Sequence, residues 1–157
     1  MYRVGVPLLV FACGIQDPGN LGAIIRTAEA AGATGLVTMS AGADPYGWKA
    51  LRGSMGSALR LPIVVATDVV QAIEDAKMHG CRLMGAVSRG GACYRDTDFS
   101  QPTAIAVGGE GQGLSDEVLG ALDQRVSVPM APPVESLNTA VTAALLLFEA
   151  EIGRAHV

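Results

Sequence analysis

A positively charged side chain lies near the start of the chain, where it could act on a bound group. The segment Asp17–Gly19 predicts a tight turn, and Asn20 is a suitable N-terminal cap for the helix that follows. Arg26 comes four residues after Gly22, so a guanidinium and a residue without a side chain share one helical face, with room for another group to approach. A solvated arginine on an amphipathic helix explains the same spacing. Both interpretations stay open from the residues alone.

A glycine-rich loop with one carboxylate follows a later apolar stretch. Four of the six residues from 108 to 113 are glycine, which permits positive φ angles and close approach of the backbone to a ligand. The pattern is not a dinucleotide fingerprint, because Leu114 stands where a third glycine would be needed, and no P-loop sequence occurs. Glu110 would repel a phosphate about 4 Å away by roughly 4 kcal/mol at an effective dielectric constant of about 20. The loop therefore disfavours pyrophosphate and tolerates a positively charged ligand, such as a sulfonium.

A proline-rich turn before the last helix-like segment is the third candidate. Val128, Pro129 and Met130 begin this turn, and Ser136 could cap the helix that follows. The prolines stiffen the backbone, which could then present amides and carbonyls to an adenine edge. The helix is apolar almost all round between 140 and 148, so it must be buried on several sides, either in the core or against a partner subunit.

Short apolar stretches separated by helix-like segments must position these candidates. The stretches are β-branched or aliphatic without strict alternation, which is typical of buried parallel strands. They are Leu8–Cys13, Gly35–Met39, Leu61–Val65, Arg82–Val87, Thr103–Val107 and Arg125–Val128. The helix-like segments are Asn20–Ala31, Asp68–Met78, Ser115–Leu122 and Ser136–Arg154. The alternation predicts a single α/β domain over residues 1–157, a mostly parallel sheet flanked by helices that binds ligands at the carboxyl ends of its strands.

The composition argues against several classes of protein. Half of the 157 residues are hydrophobic, yet no apolar run is long enough to span a bilayer, and the first ten residues look like a strand rather than a signal peptide. Three widely spaced cysteines favour reduced thiols in a cytoplasmic protein over a disulfide framework or a metal site. We therefore predict no membrane association and no metal. The formal net charge of −4 argues mildly against nucleic acid as a partner, because phosphate neutralisation normally needs a basic face.

The three candidate segments resemble, in order and spacing, the signature motifs of the SpoU/TrmH family of RNA 2'-O-ribose methyltransferases in the SPOUT superfamily. A fourth segment, between the second and third predicted strands, also resembles the family. The four segments are Asp17–Ala28, Leu51–Pro62, Gly108–Ser115 and Val128–Asn138, and together they span nearly the whole chain. The resemblance implies S-adenosylmethionine as the cofactor, an α/β knot in the C-terminal part, and a homodimer whose active site combines groups from both subunits.

The resemblance also assigns roles to residues by position. The residues that match the cofactor site are Ala86, Gly108, Gly113, Val128, Met130 and Leu137. The residues that match polar groups at the reacting centre are Asn20, Arg26, Glu110, Ser136 and Asn138. We interpret Arg26 as an electrostatic clamp, because a guanidinium stays protonated and a bidentate donor can stabilise charge developing on the 2'-oxygen. His79 and His156 fall at a helix end and near the C-terminus, so neither is a good candidate base, and the proton acceptor stays unassigned.

RNA, either tRNA or rRNA, is the partner that the resemblance implies, and Lys49, Arg52 and Arg60 are the residues predicted to bind it. Further arginines that could complete a basic rim are Arg26, Arg89 and Arg95. Half of these charges could equally be solvated surface residues. Family members often carry an N-terminal RNA-binding domain that this chain lacks, so we expect either a minimal enzyme or an excised catalytic domain. Two competing interpretations are a dimer that binds RNA or S-adenosylmethionine without methylating, and a nucleotide-dependent oxidoreductase on a doubly wound sheet.

Overall fold

Strands and helices alternate along residues 5–155, the part of the chain that the computed structural model describes. The strands are β1 (Leu8–Cys13), β2 (Gly35–Met39), β3 (Ile63–Ala66), β4 (Arg82–Ala86), β5 (Ala92–Cys93), β6 (Thr103–Gly108) and β7 (Gln124–Ser127). The helices are α1 (Pro18–Ala30), α2 (Trp48–Ser54), α3 (Val69–Met78), α4 (Asp116–Ala121) and α5 (Thr139–Ala155). None of these helices is long and apolar enough to cross a membrane.

The seven strands form one parallel sheet in the order β3-β2-β1-β6-β4-β7-β5. All six residues of β1 are buried, because helices cover both faces of the sheet and neither face needs polar residues. The α/β class and the mostly parallel sheet flanked by helices are therefore confirmed. β6 lies between β1 and β4, so the carboxyl ends of these three strands meet at one edge. The knot that the resemblance implies stays a prediction.

Two buried clusters divide the core between the faces of the sheet. Successive residues of a strand point to opposite faces, so Val10 and Phe11 of β1 belong to different clusters. Val10 packs in the layer of α1 and α5, which contributes Leu146. Phe11 packs in the layer of α3 and α4, which contributes Ile73 and Val118. The helices α1 and α5 thus pack in the same layer, on one face of the sheet.

The helix α1 begins two residues earlier than predicted, and its cap is Asp17 rather than Asn20. The Asp17 Oδ1 atom accepts hydrogen bonds from the backbone nitrogens of Gly19, at 2.7 Å, and Asn20, at 3.3 Å. Pro18 occupies the first helical position, where a missing N–H costs nothing. The prediction of Asn20 as the cap is therefore wrong. Its side chain, released from capping, is available for contacts outside the helix.

The helix α5 also has a different cap from the one predicted. It begins at Thr139, and the Asn138 Oδ1 atom accepts hydrogen bonds from the backbone nitrogens of Ala140, at 2.8 Å, and Val141, at 3.2 Å. The prediction that Ser136 caps this helix is therefore wrong, because Ser136 lies before the helix in an irregular segment. A single side chain, Asn138, uses its oxygen for the helix and keeps its amide hydrogens for other partners.

A short helix that the sequence analysis did not predict, α2, packs directly on α1. A Cβ atom on Gly22 of α1 would lie 2.6 Å from the carbonyl oxygen of Ala50 and 3.0 Å from the Cα atom of Gly53. The space beside Gly22 is therefore filled by α2, so the group that approaches this glycine is the backbone of the same chain. The seven residues of α2 follow Gly47, which provides no side-chain cap. Because so short a helix is not stable by itself, its packing on α1 must stabilise it.

Candidate active site

A cavity of about 810 Å³ opens at the carboxyl ends of β4, β6 and β7, beside the first residues of α5. We call it the α5 cavity. Its wall contains all six residues that the resemblance assigns to the cofactor, namely Ala86, Gly108, Gly113, Val128, Met130 and Leu137. These residues come from three separate segments, so the fold brings them to one place. The structure shows that they line one cavity. That they bind the cofactor stays a prediction.

The glycine-rich loop after β6 forms one wall of the α5 cavity. Gly111 and Gly113 have the predicted positive φ angles, +83° and +67°. The loop closes on itself through a hydrogen bond of 3.0 Å from the Gly113 nitrogen to the Gly109 carbonyl oxygen. A Cβ atom on Gly109 would lie 2.6 Å from the carbonyl oxygen of Gly14, so this glycine is required by packing within the protein. Close approach to a ligand is therefore not the only reason for the glycines.

Three polar residues from three separate segments form one hydrogen-bonded cluster beside the α5 cavity. The Asn138 Nδ2 atom donates to Glu110 Oε1 at 2.7 Å and to Asn20 Oδ1 at 3.1 Å. The Asn20 Nδ2 atom donates to the same Glu110 oxygen at 3.4 Å. The cluster joins the first turn of α1, the glycine loop and the first residue before α5. It holds the Glu110 carboxylate in a defined position at the surface, with neutral amides as its neighbours.

A buried hydroxyl that the sequence analysis missed supports this cluster. Thr139, the first residue of α5, is 7% exposed, and its Oγ1 atom donates to the carbonyl oxygen of Gly108 at 2.7 Å. The bond ties the start of α5 to the end of β6. Because a threonine at the start of a helix is ordinary, the only signal in the sequence is its position next to Asn138.

The structure separates one of the predicted catalytic residues from the others. Ser136 lies on the wall of the α5 cavity with Glu110 and Asn138, and Asn20 contacts both of these residues. Arg26 is exposed on α1, and it is not part of the cavity wall formed by the described residues. A single copy of residues 5–155 therefore assembles four of the five polar residues.

The three residues predicted to bind RNA differ in their surroundings. Lys49 and Arg52 are exposed on α2. Arg60 forms a two-pronged ion pair with Glu29, with distances of 2.7 Å from Nε to Oε1 and 2.9 Å from Nη2 to Oε2. The hydrogen bonds of this pair lower the pKa of the Glu29 carboxyl and raise the pKa of the Arg60 guanidinium. The charge of Arg60 is therefore already balanced, whereas Lys49 and Arg52 carry theirs at the surface.

A second cavity, of about 970 Å³, lies on the other side of the glycine loop, at the ends of β1, β2 and β3. We call it the acidic cavity, because Asp17, Asp68, Asp116 and Glu117 line it. Asp17 and Asp68 are the caps of α1 and α3, and Asp68 Oδ1 accepts from the backbone nitrogen of the second residue of α3 at 3.0 Å. Within residues 5–155, no group of three or more histidine, cysteine or acidic side chains has an arrangement that could hold a metal ion.

A parallel sheet with a ligand-sized cavity and a polar cluster at its carboxyl edge defines a ligand-binding α/β protein. The comparison with protein families identifies which one. The model of the SpoU rRNA methylase family matches residues 7–148, nearly the whole chain. The chain therefore belongs to the SpoU family of RNA methyltransferases, and the resemblance found in its sequence motifs is confirmed.

Individual relatives agree with this assignment. An uncharacterized tRNA/rRNA methyltransferase of Mycobacterium ulcerans is 42% identical over 150 residues, 94% of this chain and 47% of that protein. RlmP of Bacillus subtilis, a 23S rRNA (guanosine(2553)-2'-O)-methyltransferase, is 38% identical over 85% of this chain and 54% of its own length. The SpoU methyltransferase AviRb from Streptomyces viridochromogenes, solved with the cofactor AdoMet, matches with a TM-score of 0.89 and 37% identity over 98% of this chain and 60% of that chain. The chain thus spans about half the length of these curated relatives.

Proposed function

We propose that the chain transfers a methyl group from S-adenosylmethionine to a ribose 2'-hydroxyl of tRNA or rRNA. The observation that carries the proposal is the α5 cavity, whose wall gathers every residue matching the cofactor site of the family. RlmP, a relative at 38% identity, is named a 2'-O-methyltransferase of 23S rRNA, and AviRb, which matches 98% of this chain with a TM-score of 0.89, was solved in complex with AdoMet. Because the chain covers about half of such relatives, the RNA that it modifies and its activity in isolation belong to the proposal.

The walls of the α5 cavity suit S-adenosylmethionine. Ala86, Val128, Met130 and Leu137 provide apolar surface for an adenine ring, and the volume of about 810 Å³ is in the range of cofactor sites. Glu110 would attract the positive charge of the sulfonium. When bound, the cofactor supplies an electrophilic methyl group. The protein then needs to hold the 2'-oxygen in line with that group, so positioning contributes much of the rate.

Arg26 would act as a clamp on the RNA rather than as a base. A guanidinium keeps its proton in almost any protein environment, and its fork of donors suits a phosphate oxygen and a developing oxyanion. Asn20, Ser136 and Asn138 would complete the polar surroundings of the reacting ribose. His79 lies at the end of α3 in the opposite layer, and no histidine among residues 5–155 lines the cavity. His156 lies outside the described residues.

Arg26 lies outside the cavity of its own subunit, which supports a homodimer with a shared active site. The helix α5 buries one face, including Leu146 and Leu147, whereas Val141 and Phe148 on the other face are 48% and 43% exposed. These two residues are seven apart and therefore lie on one side of the helix. We propose that this apolar side packs against a second copy, and that Arg26 of one copy serves the α5 cavity of the other.

A complementation experiment tests the shared site. The variants Arg26→Ala and Asn138→Ala each lack one group, and their heterodimer contains one complete site only if Arg26 acts across the dimer. We expect each variant alone to methylate much more slowly than the wild type, and the mixture to recover methylation above the rate of either variant. A mixture that stays inactive, although subunit exchange is demonstrated by mass, would contradict action across the dimer.

Cofactor binding and methylation test the reaction itself. S-adenosylmethionine would be titrated into the purified chain, and tRNA and rRNA incubated with labelled cofactor would be digested to nucleosides. We expect saturable cofactor binding and a labelled 2'-O-methylnucleoside in the wild type. In Arg26→Ala, we expect the methylation rate to fall by about 100-fold or more while the cofactor affinity stays unchanged. Lys77→Ala, which removes a cation from the opposite layer, is the matched control. Cofactor binding without methylation would indicate the non-catalytic dimer, and binding of NAD in place of S-adenosylmethionine would indicate an oxidoreductase.

A further inference from the structure

The outer side of α2 carries an exposed aromatic ring between two cations. Trp48 is 63% exposed, and the Lys49 Nζ and Arg52 Cζ atoms lie 5.5 Å and 5.6 Å from its ring centroid. Met55, which follows the last residue of α2 with a φ of +51°, is 67% exposed. Trp48 is the only tryptophan of the chain. An indole that remains so open to solvent adds little to the stability of the fold, so its position calls for another explanation.

The two cations beside Trp48 are not neutralised within the described part of the chain. Ion pairs to carboxylates in residues 5–155 involve three other cations, namely Arg60, Lys77 and Arg89. Lys49 and Arg52 have the aromatic ring as their neighbour instead. In a chain of net charge −4, an aromatic face with two unbalanced positive charges is complementary to a ligand that combines flat rings with negative charge.

The helix α2 is fixed to the helix that carries the proposed catalytic residues. Gly22 of α1 and Gly53 of α2 lie in direct backbone contact, since a Cβ atom on Gly22 would lie 3.0 Å from the Gly53 Cα atom. Asn20 precedes this contact by two residues, and Arg26 follows it by one helical turn, about 6 Å along the axis. Trp48, Asn20 and Arg26 thus belong to one rigid pair of helices, so a group held on Trp48 would have a defined position relative to Arg26.

We propose that Trp48 is a stacking platform for an unpaired base of the substrate RNA, with Lys49 and Arg52 on the phosphates beside that base. The proposal rests on the proposed RNA methylation and extends it to the recognition of a single-stranded region. Unpaired bases stack on exposed aromatic side chains, and nearby cations hold the backbone. A nucleotide outside a helical stack also presents its ribose hydroxyl to the enzyme. Trp48 would therefore select RNA in which the target nucleotide or its neighbour is unpaired.

The fluorescence of the only tryptophan reports directly on this contact. We expect a short oligoadenylate to quench the emission of Trp48 in a saturable manner. The logarithm of the apparent affinity should fall linearly with the logarithm of the salt concentration, and the magnitude of this slope should be smaller by about 0.7 in Lys49→Ala. Two results would overturn the proposal. One is emission unchanged by the oligonucleotide, and the other is emission already shielded from iodide in the free protein, which would mean that a second copy covers the ring.

Kinetics with matched variants separate this proposal from the proposed function. We expect Trp48→Leu to raise the KM for RNA about fivefold or more, with kcat and cofactor affinity retained, and Trp48→Phe to restore most of the loss. Met78→Ala, an 83% exposed apolar residue in the opposite layer, is the control. If the wild type is active and Trp48→Leu has an unchanged KM for RNA, the stacking proposal is refuted and the proposed function stands. A wild-type protein that methylates no RNA would refute the proposed function, and the fluorescence titration would still decide whether Trp48 contacts RNA.

Discussion

Two cavities of similar size flank the glycine loop, and their polar residues serve different purposes. In the acidic cavity, Asp17 and Asp68 are occupied as caps of α1 and α3. In the α5 cavity, Asn138 also caps a helix, but its amide group additionally binds Glu110 and Asn20 across two other segments. Two of the acidic side chains in the larger cavity therefore already have partners as helix caps, and Asn20 and Glu110 of the polar cluster also line this cavity. The smaller cavity is distinguished as the candidate site because its wall gathers all six residues predicted to bind the cofactor together with Ser136 and Asn138.

The two cavities share the glycine loop as a wall. Substitutions in this loop and at the helix caps of each cavity can therefore separate the roles of the two cavities. The α5 cavity depends on close backbone packing at the end of β6. The acidic cavity depends on ordinary strand-to-helix connections, with the buried thiol of Cys13 among its lining residues.

The largest effect is expected for Gly108→Ala. A Cβ atom on Gly108 would lie 2.6 Å from the backbone nitrogen of Leu114, so the loop must move. We expect the free energy of unfolding to fall by about 1–3 kcal/mol and the affinity for S-adenosylmethionine to fall by about 100-fold. Urea unfolding and calorimetric titration measure the two quantities. The control is Gly120→Ala, because a Cβ atom on Gly120 of α4 meets nothing within 4 Å. Equal behaviour of the two variants would contradict the assignment of the loop.

A smaller effect is expected for Asn138→Ala, compared with Asp68→Ala. Both changes remove a helix cap, so each should lower the free energy of unfolding by about 1 kcal/mol. Only Asn138→Ala also removes the hydrogen bonds to Glu110 and Asn20, and we expect it to lower the methylation rate at least roughly tenfold. Thermal unfolding with a methylation assay checks both quantities. Loss of activity in Asp68→Ala to the same extent would show that cap loss alone explains the result.

The smallest effect concerns the buried thiol at the acidic cavity. Burial raises the pKa of Cys13 from its ordinary value of 9.0 to about 12. The folded state keeps this proton above pH 9 while the unfolded state releases it, so the stability present below pH 9 is lost as the pH rises towards 12. By pH 10 the loss from this group should be on the order of 1 kcal/mol.

Urea unfolding of the wild type and Cys13→Ala at pH 8 and pH 10 measures this loss. The variant lacks the thiol, so its stability should fall less between the two pH values, although the cavity left by the sulfur lowers its stability at both. An equal decrease in the two proteins would show that other groups account for the alkaline instability.

Regular structure was largely predictable from hydrophobic patterns. The predicted strands Leu8–Cys13 and Gly35–Met39 match β1 and β2 at both ends, because buried parallel strands are continuous apolar runs bounded by turn residues. The predictions for β3 and β7 were displaced by one or two residues. The two-residue strand β5 and the helix α2 were missed, since both are too short for a periodic signal and are held by contacts with β7 and α1.

Helix caps show where local reasoning fails. Asp17 and Asn20 are both good capping residues, and the same holds for Ser136 and Asn138. Sequence alone does not decide between them, because the choice depends on which residue the preceding turn leaves in an extended conformation. In both cases the correct choice alters the site: Asn20 is released for the polar cluster, and Asn138 joins it while it caps α5.

The residue types and motif order alone determined the family, the class of fold and the polar residues of the candidate site, because these depend on local chemistry and on patterns that repeat along the chain. Tertiary structure decided which of those residues meet. It joined Asn20, Glu110 and Asn138, left Arg26 outside the cavity, balanced Arg60 with Glu29 and exposed Trp48 between two cations. Contacts between residues far apart in sequence depend on how helices pack on the sheet, and no local pattern records that packing.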